Sequence, residues 1–558
     1  MKLKSLRIKD FRGLKGDANY IDFTNSDIIF LIGQNNVGKS SFLRAYEFFV
    51  DPSQKAKLED FFDHNPNNKI EIIGEFLTES GDDSDTDLRG SGRSLEPDWI
   101  DKWVDPSTGI IKVKKVWSTV DSKFEKFTFK PSEDWVLGGF GGMDTLFTKY
   151  APKPISIHAM ETEASLEEKV NKLLADDFLK KLKDIHPTHY DNAVQAISAL
   201  QQELFGSAQI SQLNTNLNAI FKQIFSTLTL EIKPKAQDTI ALTEAIKKSH
   251  SVHVKKDGIT RNETFAQHGH GVIRQALFNF LTFLKVSNIS ENIRKEYLIL
   301  FEEPELFLHP KVSQNLRKSL YDLSQNSPYQ ILCASHSPAM IDISQKHASI
   351  VRITKDVSEN TRTFQVGDLI FQRDDNKQRV QMFIRFNPHI CECFYADEVI
   401  LVEGDTETIV FRTLLNEYYP QKEIFVLNTG SKTNIQFFQE VLTHFKIKHY
   451  VIHDTDTPDK VASWTINQNI WSKIEDANAI EANLARRYVF ITDFENANDY
   501  QYSKTDGKPL SAYKLAMKIK TENLDLVCLQ YLRDIVGDNT INHNQEFVIS
   551  SVPETTPS

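Results

Sequence analysis

Residues 33–40 read GQNNVGKS, which fits the pattern GxxxxGK[ST]. The apolar run Asp27–Ile32 precedes this segment and predicts a buried strand, while residues 39–50 carry apolar side chains at helical spacing and predict a helix. A glycine loop between a strand and a helix presents backbone N–H groups to phosphate oxygens. The sequence therefore predicts a phosphate-binding loop whose nucleotide-binding residues are Gly33, Asn35, Asn36, Gly38, Lys39, Ser40 and Ser41.

Two residues of this loop have individual roles. Lys39 supplies a positive charge to the β- and γ-phosphates, and the Ser40 hydroxyl is a ligand for Mg²⁺. A chance match to a short pattern is the alternative, and the flanking strand and helix disfavour it.

Two further apolar runs end in residues that suit nucleotide hydrolysis. Residues 297–301 (YLILF) lead into Glu302 and Glu303, and residues 330–334 (QILCA) are followed shortly by His336. We expect Glu302 to be the carboxylate that faces Mg²⁺, Glu303 to be the general base and His336 to contact the γ-phosphate. Solvated strand ends are the alternative for the acids, and a structural role is the more common one for a histidine seen alone.

A glycine pair, Gly269 and Gly271, precedes residues 272–284, whose apolar spacing predicts another helix. Two glycines at a helix start predict a second anion-binding terminus. One chain can hardly bring both termini to one triphosphate, so we expect a second subunit to supply one of them.

The C-terminal part has its own pattern of acids. The strand-like residues 398–402 (EVILV) end at Glu403, a predicted helix carries Glu407, and a later strand leads into Asp454 and Asp456. These segments form a βαβαβ unit, whose parallel strands end at one edge of a sheet. Four carboxylates at one edge repel one another unless divalent cations neutralise them, so Mg²⁺ or Mn²⁺ is implied. Ordinary solvated acids are the alternative.

Two such cations would activate water and stabilise the leaving oxygen of a phosphodiester. The predicted strand 487–492 (RYVFIT) is followed by Asp493 and Glu495, which offer further metal ligands. Lys508, in a predicted turn at residues 507–509, suits neutralisation of a scissile phosphate. An exposed turn lysine is its equal alternative.

Composition limits the class of protein. The chain has 558 residues, of which 40% are hydrophobic and 25% charged, as in soluble proteins of several domains. A net charge of −11 means that nucleic-acid contacts rely on local basic patches. Four cysteines predict no disulfide framework and favour a cytoplasmic location. No apolar run approaches the roughly 18 residues of a membrane helix, so no membrane partner is expected.

The front half of the chain resembles the ABC-type ATPase head of SMC and RecF-like proteins. The phosphate loop, the glycine pair, the segment EEPELFLHP (residues 302–310) and the later histidine carry this resemblance. The opening IKDFRGL (residues 8–14) is also similar, which implies that Arg12 lies near the nucleotide. Two such heads enclose two ATP molecules, so the resemblance implies ATP and a homodimer or higher homo-oligomer. Glu302 stands where most of these ATPases have aspartate, and both residue types bind Mg²⁺.

The C-terminal frame resembles a Toprim domain, in which Glu403, Glu407, Asp454 and Asp456 match the metal-binding acids and Lys508 matches a late lysine. An ATPase head with a helical insert, followed by Toprim, resembles the OLD (overcoming lysogenization defect) nucleases over essentially the whole chain. The resemblance implies a nuclease that cuts DNA. Its members include effectors of antiphage systems of the Gabija-like and retron-associated kinds.

The predicted fold is therefore α/β and multidomain: an ABC/SMC-like ATPase head with a helical dimerisation insert, followed by a Toprim βαβαβ domain. The predicted parts are residues 1–160 and 229–390 for the head, 161–228 for the insert, 391–540 for Toprim and 541–558 for a flexible tail.

Three functions compete at this point. The favoured one is an ATP-regulated, divalent-metal-dependent DNA endonuclease or nickase in antiphage defence, whose partner is a helicase-like protein or a reverse transcriptase with its ncRNA/msDNA. The alternative is a RecF/SMC-like DNA-binding ATPase with a non-catalytic Toprim domain. A topoisomerase or primase would need a strand-passage tyrosine module or a template-binding module, and neither is recognisable.

Overall fold

A computed structural model of the chain describes residues 1–78, 103–138, 147, 150–159, 208–224, 228–234, 250–256, 263–264, 278–279, 297–342, 345, 347–356, 358–365, 388–457 and 461–538. The chain divides into two compact units. The first consists of Met1–Leu31, Asn35–Ile341 and Ala348–Thr363, and the second of Ile32–Gln34, Asp342–His347 and Phe364–Ser558. Most of the predicted helical insert, both glycines of the pair at 269 and 271, and the predicted tail lie outside the described residues.

The strands are, in chain order, β1 Lys2–Lys9, β2 Asn19–Asp22, β3 Ile28–Ile32, β4 Ile70–Leu77, β5 Ile110–Trp117, β6 Glu125–Lys130, β7 Asp134–Leu137, β8 Lys153–Ile157, β9 Leu228–Pro234, β10 His250–Lys256, β11 Glu263–Thr264, β12 Tyr297–Glu302, β13 Tyr329–Ala334, β14 Ile350–Lys355, β15 Thr361–Gln365, β16 Glu398–Val402, β17 Ile424–Asn428, β18 Lys448–Asp454 and β19 Ala485–Phe490.

The α-helices are α1 Lys39–Val50, α2 Ala208–Ile224, α3 Pro310–Ser324, α4 Asp405–Tyr418, α5 Lys432–His444, α6 Val461–Ile480, α7 Phe494–Ala497, α8 Gly507–Glu522 and α9 Val527–Val536. Short 3-10 turns occur at Leu58–Asp60, Phe62–His64, Pro338–Met340, His347–Ser349 and Pro388–Tyr395.

The first unit contains a mainly parallel sheet and an antiparallel sheet. The strand order is β15-β14-β3-β13-β12-β8 in one, with β3, β13, β12 and β8 parallel, and β2-β1-β4-β5-β6-β7 in the other. A small third sheet has the order β11-β10-β9. Every residue of β3 and β13 is buried, as continuous apolar runs predict for strands covered on both faces.

One hydrophobic core joins α1 to both large sheets. Phe42 and Phe49 of α1, Phe76 of β4 and Leu332 of β13 are all fully buried members of it. Because the parallel strands share one direction, the residues after β3, β12 and β13 meet at one sheet edge, where the phosphate loop, Glu302 and His336 lie.

The second unit is built on a parallel sheet with the order β17-β16-β18-β19. Central β16 is bordered by β17 and β18, and Glu398 pairs with Ile424 on one side and Lys448 on the other. The predicted βαβαβ order of β16, α4, β17, α5 and β18 is confirmed. The carboxyl ends of β16 and β18 therefore meet at the same edge of the sheet.

Two local predictions are wrong. Lys508 does not lie in a turn, because α8 begins at Gly507 and includes it in its first turn. Proline at position 509 suits that location, since the first turn of a helix needs no N–H donor there. The polar composition of residues 355–377 predicts only a connector, and this prediction is also wrong. The segment contains β15, where Thr361 is buried and its N–H donates to the Lys15 carbonyl.

Candidate nucleotide and metal sites

The phosphate loop depends on a glycine at position 38. Gly38 has φ 105°, and a Cβ atom there would lie 2.5 Å from Cδ2 of Leu14. Asn36 has φ 62° and Gly33 φ 142°, so three loop residues have left-handed backbone. Helix α1 then begins at Lys39 with no acidic side chain in its first turn. Its N-terminal N–H groups and partial positive charge thus face no competing carboxylate from the first turn.

Lys39 is buried, with only 4% of its surface exposed. Burial lowers its pKa to about 8, and the nearby carboxylates of Glu303 and Glu305 offset part of that shift. A buried ammonium at the start of α1, close to acids that follow β12, is well placed to bind a multiply charged anion.

Glu302, the last residue of β12, is surrounded by donors. Hydrogen bonds from His158 and Ser40, a backbone N–H at Ala159 and the charge of Arg44 hold its pKa near 2, against the opposing effect of burial. The His158 Nδ1 atom lies 3.8 Å from Glu302 Oε2. The structure therefore brings Ser40 and Glu302, both predicted to face Mg²⁺, into direct contact.

Glu303 and His336 come together at the neighbouring strand end. The His336 Nε2 atom is 3.7 Å from Glu303 Oε1. Glu305 Oε1 accepts hydrogen bonds from Ser335 Oγ (2.8 Å) and from the His336 N–H (2.9 Å). Burial and the charge of Lys39 lower the pKa of His336, so its imidazole is neutral at pH 7. Glu305 thus links the loops after β12 and β13.

Sequence reasoning did not assign roles to Glu305, His158 or Arg44. For Glu305 a signal existed, since it is the third acid of EEPE after an apolar strand. His158 follows β8, which pairs with β12 in parallel, so only the sheet order reveals that it lies next to Glu302. Arg44 lies on α1 and its Nη2 atom is 3.3 Å from His158 Nδ1.

Arg12 lines a cavity beside the phosphate loop. The cavity has a volume of about 390 Å³ and is lined by Arg12, Gly13, Glu59, Phe61, Asp63 and His64. The Arg12 guanidinium donates to Asp60 Oδ1 at 2.8 and 3.0 Å. A Cβ atom on Gly13 would lie 3.8 Å from Gly38 Cα, so this turn packs against the loop itself.

At the second sheet, two predicted acids are held together by the backbone. Glu403 follows β16, and its Oε1 atom accepts the Asp454 N–H at the end of β18 at 2.8 Å. Burial, with Glu407 and Asp456 nearby, raises the pKa of Glu403 to about 7. Burial and the charges of Glu403 and Glu407 raise the pKa of Asp454 to about 9. Burial also raises the pKa of Glu407.

These carboxylates fit a divalent cation. The Oδ1 atom of Asp454 is buried without a hydrogen-bond partner, and burial together with repulsion from the neighbouring acids raises the pKa of this carboxyl. Hard oxygen donors of this kind suit Mg²⁺ and Mn²⁺. Within the described part of the chain, however, no three His, Cys, Asp or Glu side chains already form a metal-binding group. The acids are neighbours rather than a closed cage.

Lys432 is a member of this site that sequence reasoning missed. It is the first residue of α5, and its Nζ atom donates to Asp456 Oδ2 at 2.8 Å and to the Asp454 carbonyl at 2.5 Å. Asp456 has φ 58° and pairs with Thr492, which fixes the loop that follows β18. The only sequence signal is a lysine just after the glycine turn that follows β17.

The later predicted residues occupy different positions around these acids. Asp493 is the N-cap of α7, with Oδ1 accepting the Asn496 N–H at 2.7 Å and Oδ2 accepting the Asn496 side-chain amide at 2.8 Å. The charge of Glu495 helps to raise the pKa of Glu407, and that of Lys508 lowers it. Lys508 is exposed, with its Nζ atom 5.6 Å from the Tyr502 ring centroid.

Comparison with known proteins identifies both halves of the chain. A family model described as AAA ATPase domain matches residues 1–188 and 110–341. A second, described as overcoming lysogenization defect protein-like, TOPRIM domain, matches residues 394–456. The chain belongs to the OLD family. The predicted order of an ATPase head followed by a Toprim domain is confirmed, and together these domains imply use of a nucleotide and a divalent metal.

Several curated relatives are similar to this OLD-family chain. The Old nuclease of Escherichia phage P2 is 24% identical over 542 residues, which cover 90% of this chain and 87% of that protein. Endonuclease GajA of Bacillus cereus (strain VD045) is 22% identical over 484 residues, 82% of this chain and 76% of that endonuclease. The OLD nuclease of Thermus scotoductus (strain ATCC 700910 / SA-01) is 28% identical over 162 residues, 28% of this chain and 30% of that nuclease.

None of the described helices combines the length and the apolar character needed to cross a membrane.

Proposed function

We propose that this OLD-family chain is an ATP-regulated, divalent-metal-dependent endonuclease or nickase that acts on DNA. The OLD family consists of nucleases, so the chain is a nuclease that carries an ATPase domain. The observation that carries the proposal is the hydrogen bond from the Asp454 N–H to Glu403 Oε1, beside the unpartnered Oδ1 of Asp454. It joins the carboxyl ends of β16 and β18 into one acidic site.

In this proposal Glu403, Glu407, Asp454 and Asp456 hold the cation, which is Mg²⁺ or Mn²⁺. The bound cation supplies Lewis-acid activation of water and charge stabilisation at the scissile phosphate. The chain's own groups orient the reaction. The Asp454 N–H holds Glu403 in place, and Lys508, exposed near Glu407, neutralises a phosphate of the DNA backbone.

At the nucleotide site, ATP with Mg²⁺ binds to the phosphate loop, Lys39, Ser40 and Glu302, with Glu303 as general base and His336 as the γ-phosphate contact. Support comes from the donors around Glu302 and from the burial of Lys39. A second copy of the chain supplies Gly269 and Gly271, which makes the active form a homodimer or a higher homo-oligomer. This nucleotide cycle regulates cutting or assembly.

The physiological proposal is antiphage defence. It rests on similarity to proteins that include endonuclease GajA. A helicase-like protein, or a reverse transcriptase with its ncRNA/msDNA as in a retron, is the proposed partner. The alternative of a DNA-binding ATPase with a non-catalytic Toprim domain is not favoured, because the family is one of nucleases and all four predicted acids are present.

The test is a plasmid-nicking assay with the purified full-length chain, with Mg²⁺ or Mn²⁺, with and without ATP. Glu403→Gln and Asp454→Asn remove the charges of the acidic site without changing side-chain size, so we expect each to lower the rate at least about a hundredfold. Asp405→Asn is the matched control, because Asp405 is an exposed acid on α4 that accepts a hydrogen bond from Asn428 instead. It should cut like the wild type.

Two results would contradict the proposal. One is an intact plasmid under every condition. The other is full activity in Glu403→Gln and Asp454→Asn, which would assign the cutting to a contaminant or to another site.

A further inference from the structure

The surroundings of Lys432 are unfavourable for a charged side chain that has no anionic partner. Its side chain is 8% exposed, and it occupies the first position of α5, where the helix carries partial positive charge. A buried ammonium requires an anionic partner, and a helix N-terminus disfavours a cation further. Two unfavourable effects must therefore be balanced by the contacts that the ammonium makes.

Those contacts are to the acidic loop after β18. The Nζ atom donates to Asp456 Oδ2 and to the Asp454 carbonyl, so one ammonium bridges both ends of the Asp454–Asp456 loop. The charge of Lys432 also acts on Glu403, whose pKa it lowers against the stronger effect of burial. The ammonium is thus a cation placed among the carboxylates of the proposed metal site.

We propose that Lys432 is a positioning residue that takes the place of a divalent cation, neutralising Asp456 until a metal ion displaces it. This inference rests on the proposed function, because it treats Asp456 as a metal ligand. Lys432 keeps the acidic loop folded at low metal concentration, and by competing for Asp456 it sets the metal concentration at which the site fills. Removing the ammonium therefore weakens the loop without metal and strengthens metal binding.

The test uses Lys432→Met in the full-length chain, freed of metal with EDTA and then titrated with Mn²⁺ without nucleotide. Binding that is lost in Asp454→Asn defines the Toprim site. We expect Lys432→Met to bind Mn²⁺ at that site at least about fivefold more tightly than the wild type, the lower end of ordinary coupling between two ligands. Its Tm in EDTA should fall, and Mn²⁺ should raise it by more than in the wild type.

The matched control is Lys448→Met. Lys448 also pairs with a carboxylate on this sheet, Glu398 at 3.0 Å, but at the opposite end of β18 and with 38% of its side chain exposed. Its loss should leave Mn²⁺ affinity unchanged. Equal or weaker Mn²⁺ binding by Lys432→Met would overturn the inference, since a lysine that only organises the loop would lower affinity when removed.

A second measurement needs no variant of Lys432 and applies even if Lys432→Met does not fold. Crystal structures of the wild-type chain in EDTA and in Mn²⁺ would show whether the Nζ–Oδ2 contact to Asp456 opens beyond about 4 Å, the limit of an ion pair. Opening supports the inference, and an intact contact beside bound Mn²⁺ refutes it. A wild type without Asp454-dependent Mn²⁺ binding would instead refute the proposed function itself.

Discussion

The surroundings of the carboxylates in this chain lower the pKa of some and raise the pKa of others. Glu302 is surrounded by donors from His158, Ser40 and Ala159, which hold its pKa near 2. Glu403 and Asp454 are buried among other acids, which raises their pKa values to about 7 and about 9. The nucleotide-side acid is therefore ionised at any physiological pH, whereas the Toprim acids need a cation to become fully charged.

His449 allows the effect of burial on a pKa to be tested away from both proposed sites. It is fully buried in β18, with Nδ1 bonded to the Ile447 carbonyl and Nε2 without a partner. Burial lowers its pKa from 6.5 to about 4. As pH falls below 6.5, the unfolded chain takes up a proton that the folded chain does not, so stability is lost between that pH and about 4.

We predict that His449→Leu removes this loss. The free energy of unfolding of the wild type should fall more steeply with decreasing pH than that of His449→Leu, by about 1.2 kcal/mol per pH unit between pH 6 and 5. Urea unfolding in EDTA at several pH values measures both slopes. Acids with raised pKa values act in the opposite direction but equally in both proteins, so they cancel. Parallel slopes would show that His449 is protonated in the folded chain.

Short connections between elements place the site residues. The strands β16 and β18 end at one edge, so Glu403, which follows β16, and Asp454, the last residue of β18, lie within hydrogen-bond distance. Helix α7 has four residues and begins directly after Asp493, which caps it. Asp493, the N-cap of α7, therefore lies close to the acidic site, because its charge contributes to the raised pKa of Asp454.

Asp493 can thus serve as a helix cap, as the predicted metal ligand, or as both, and two substitutions separate these roles. Asp493→Ala should destabilise the fold by about 1 kcal/mol, since the Asn496 N–H loses its acceptor. In a unit of this size that lowers Tm by about 2–4 °C. Asp493→Ser keeps a capping oxygen, so we expect near wild-type stability and nicking, because both carboxylate oxygens are already used by Asn496.

The measurements are thermal melting in EDTA and the plasmid-nicking assay. A stable Asp493→Ser protein with lost Mn²⁺ binding and lost nicking would establish the carboxylate as a metal ligand. Equal melting of all three proteins would exclude the capping role.

The chain as a whole combines two sheets whose reactive edges carry different chemistry. In the first unit the edge of β3, β12 and β13 carries the proposed phosphate-binding residues, and in the second the edge of β16 and β18 carries acids. Parallel strands run in the same direction, so the loops after them lie at one edge of the sheet even when they are far apart in the sequence.

We predict that ATP drives the proposed self-association of the chain. Glu303→Gln removes the proposed general base, so ATP should bind without being hydrolysed and the weight-average mass should increase to at least twice its value without nucleotide. Light scattering after size exclusion measures the mass. Lys39→Ala, which lacks the phosphate-binding charge, is the control and should show no increase. The same mass for Glu303→Gln with and without ATP would contradict ATP-driven association.

Much of this protein is predictable from local patterns. Continuous apolar runs identified β3, β12, β13 and β16, and the GxxxxGK[ST] pattern located the loop before α1, because strand burial and helix starts depend on neighbouring residues. Acids at strand ends predicted the metal site, since strands in one parallel sheet share an edge. The same patterns did not predict β15, because its polar sequence is typical of a connector. Only its pairing in the sheet identifies it as a strand.

Contacts across the sheets required the tertiary structure. Lys432 contacts Asp456, which is 24 residues away in the sequence, and His158 lies beside Glu302, which is 144 residues away. The local sequence around these residues does not indicate that they are close in space. Sequence alone therefore determined which elements form and where acids and phosphate-binding groups occur, since hydrophobic periodicity and turn chemistry are local. Folding decided which cation faces which acid, and so each group's charge, because burial and partners arise only when distant strands pack together.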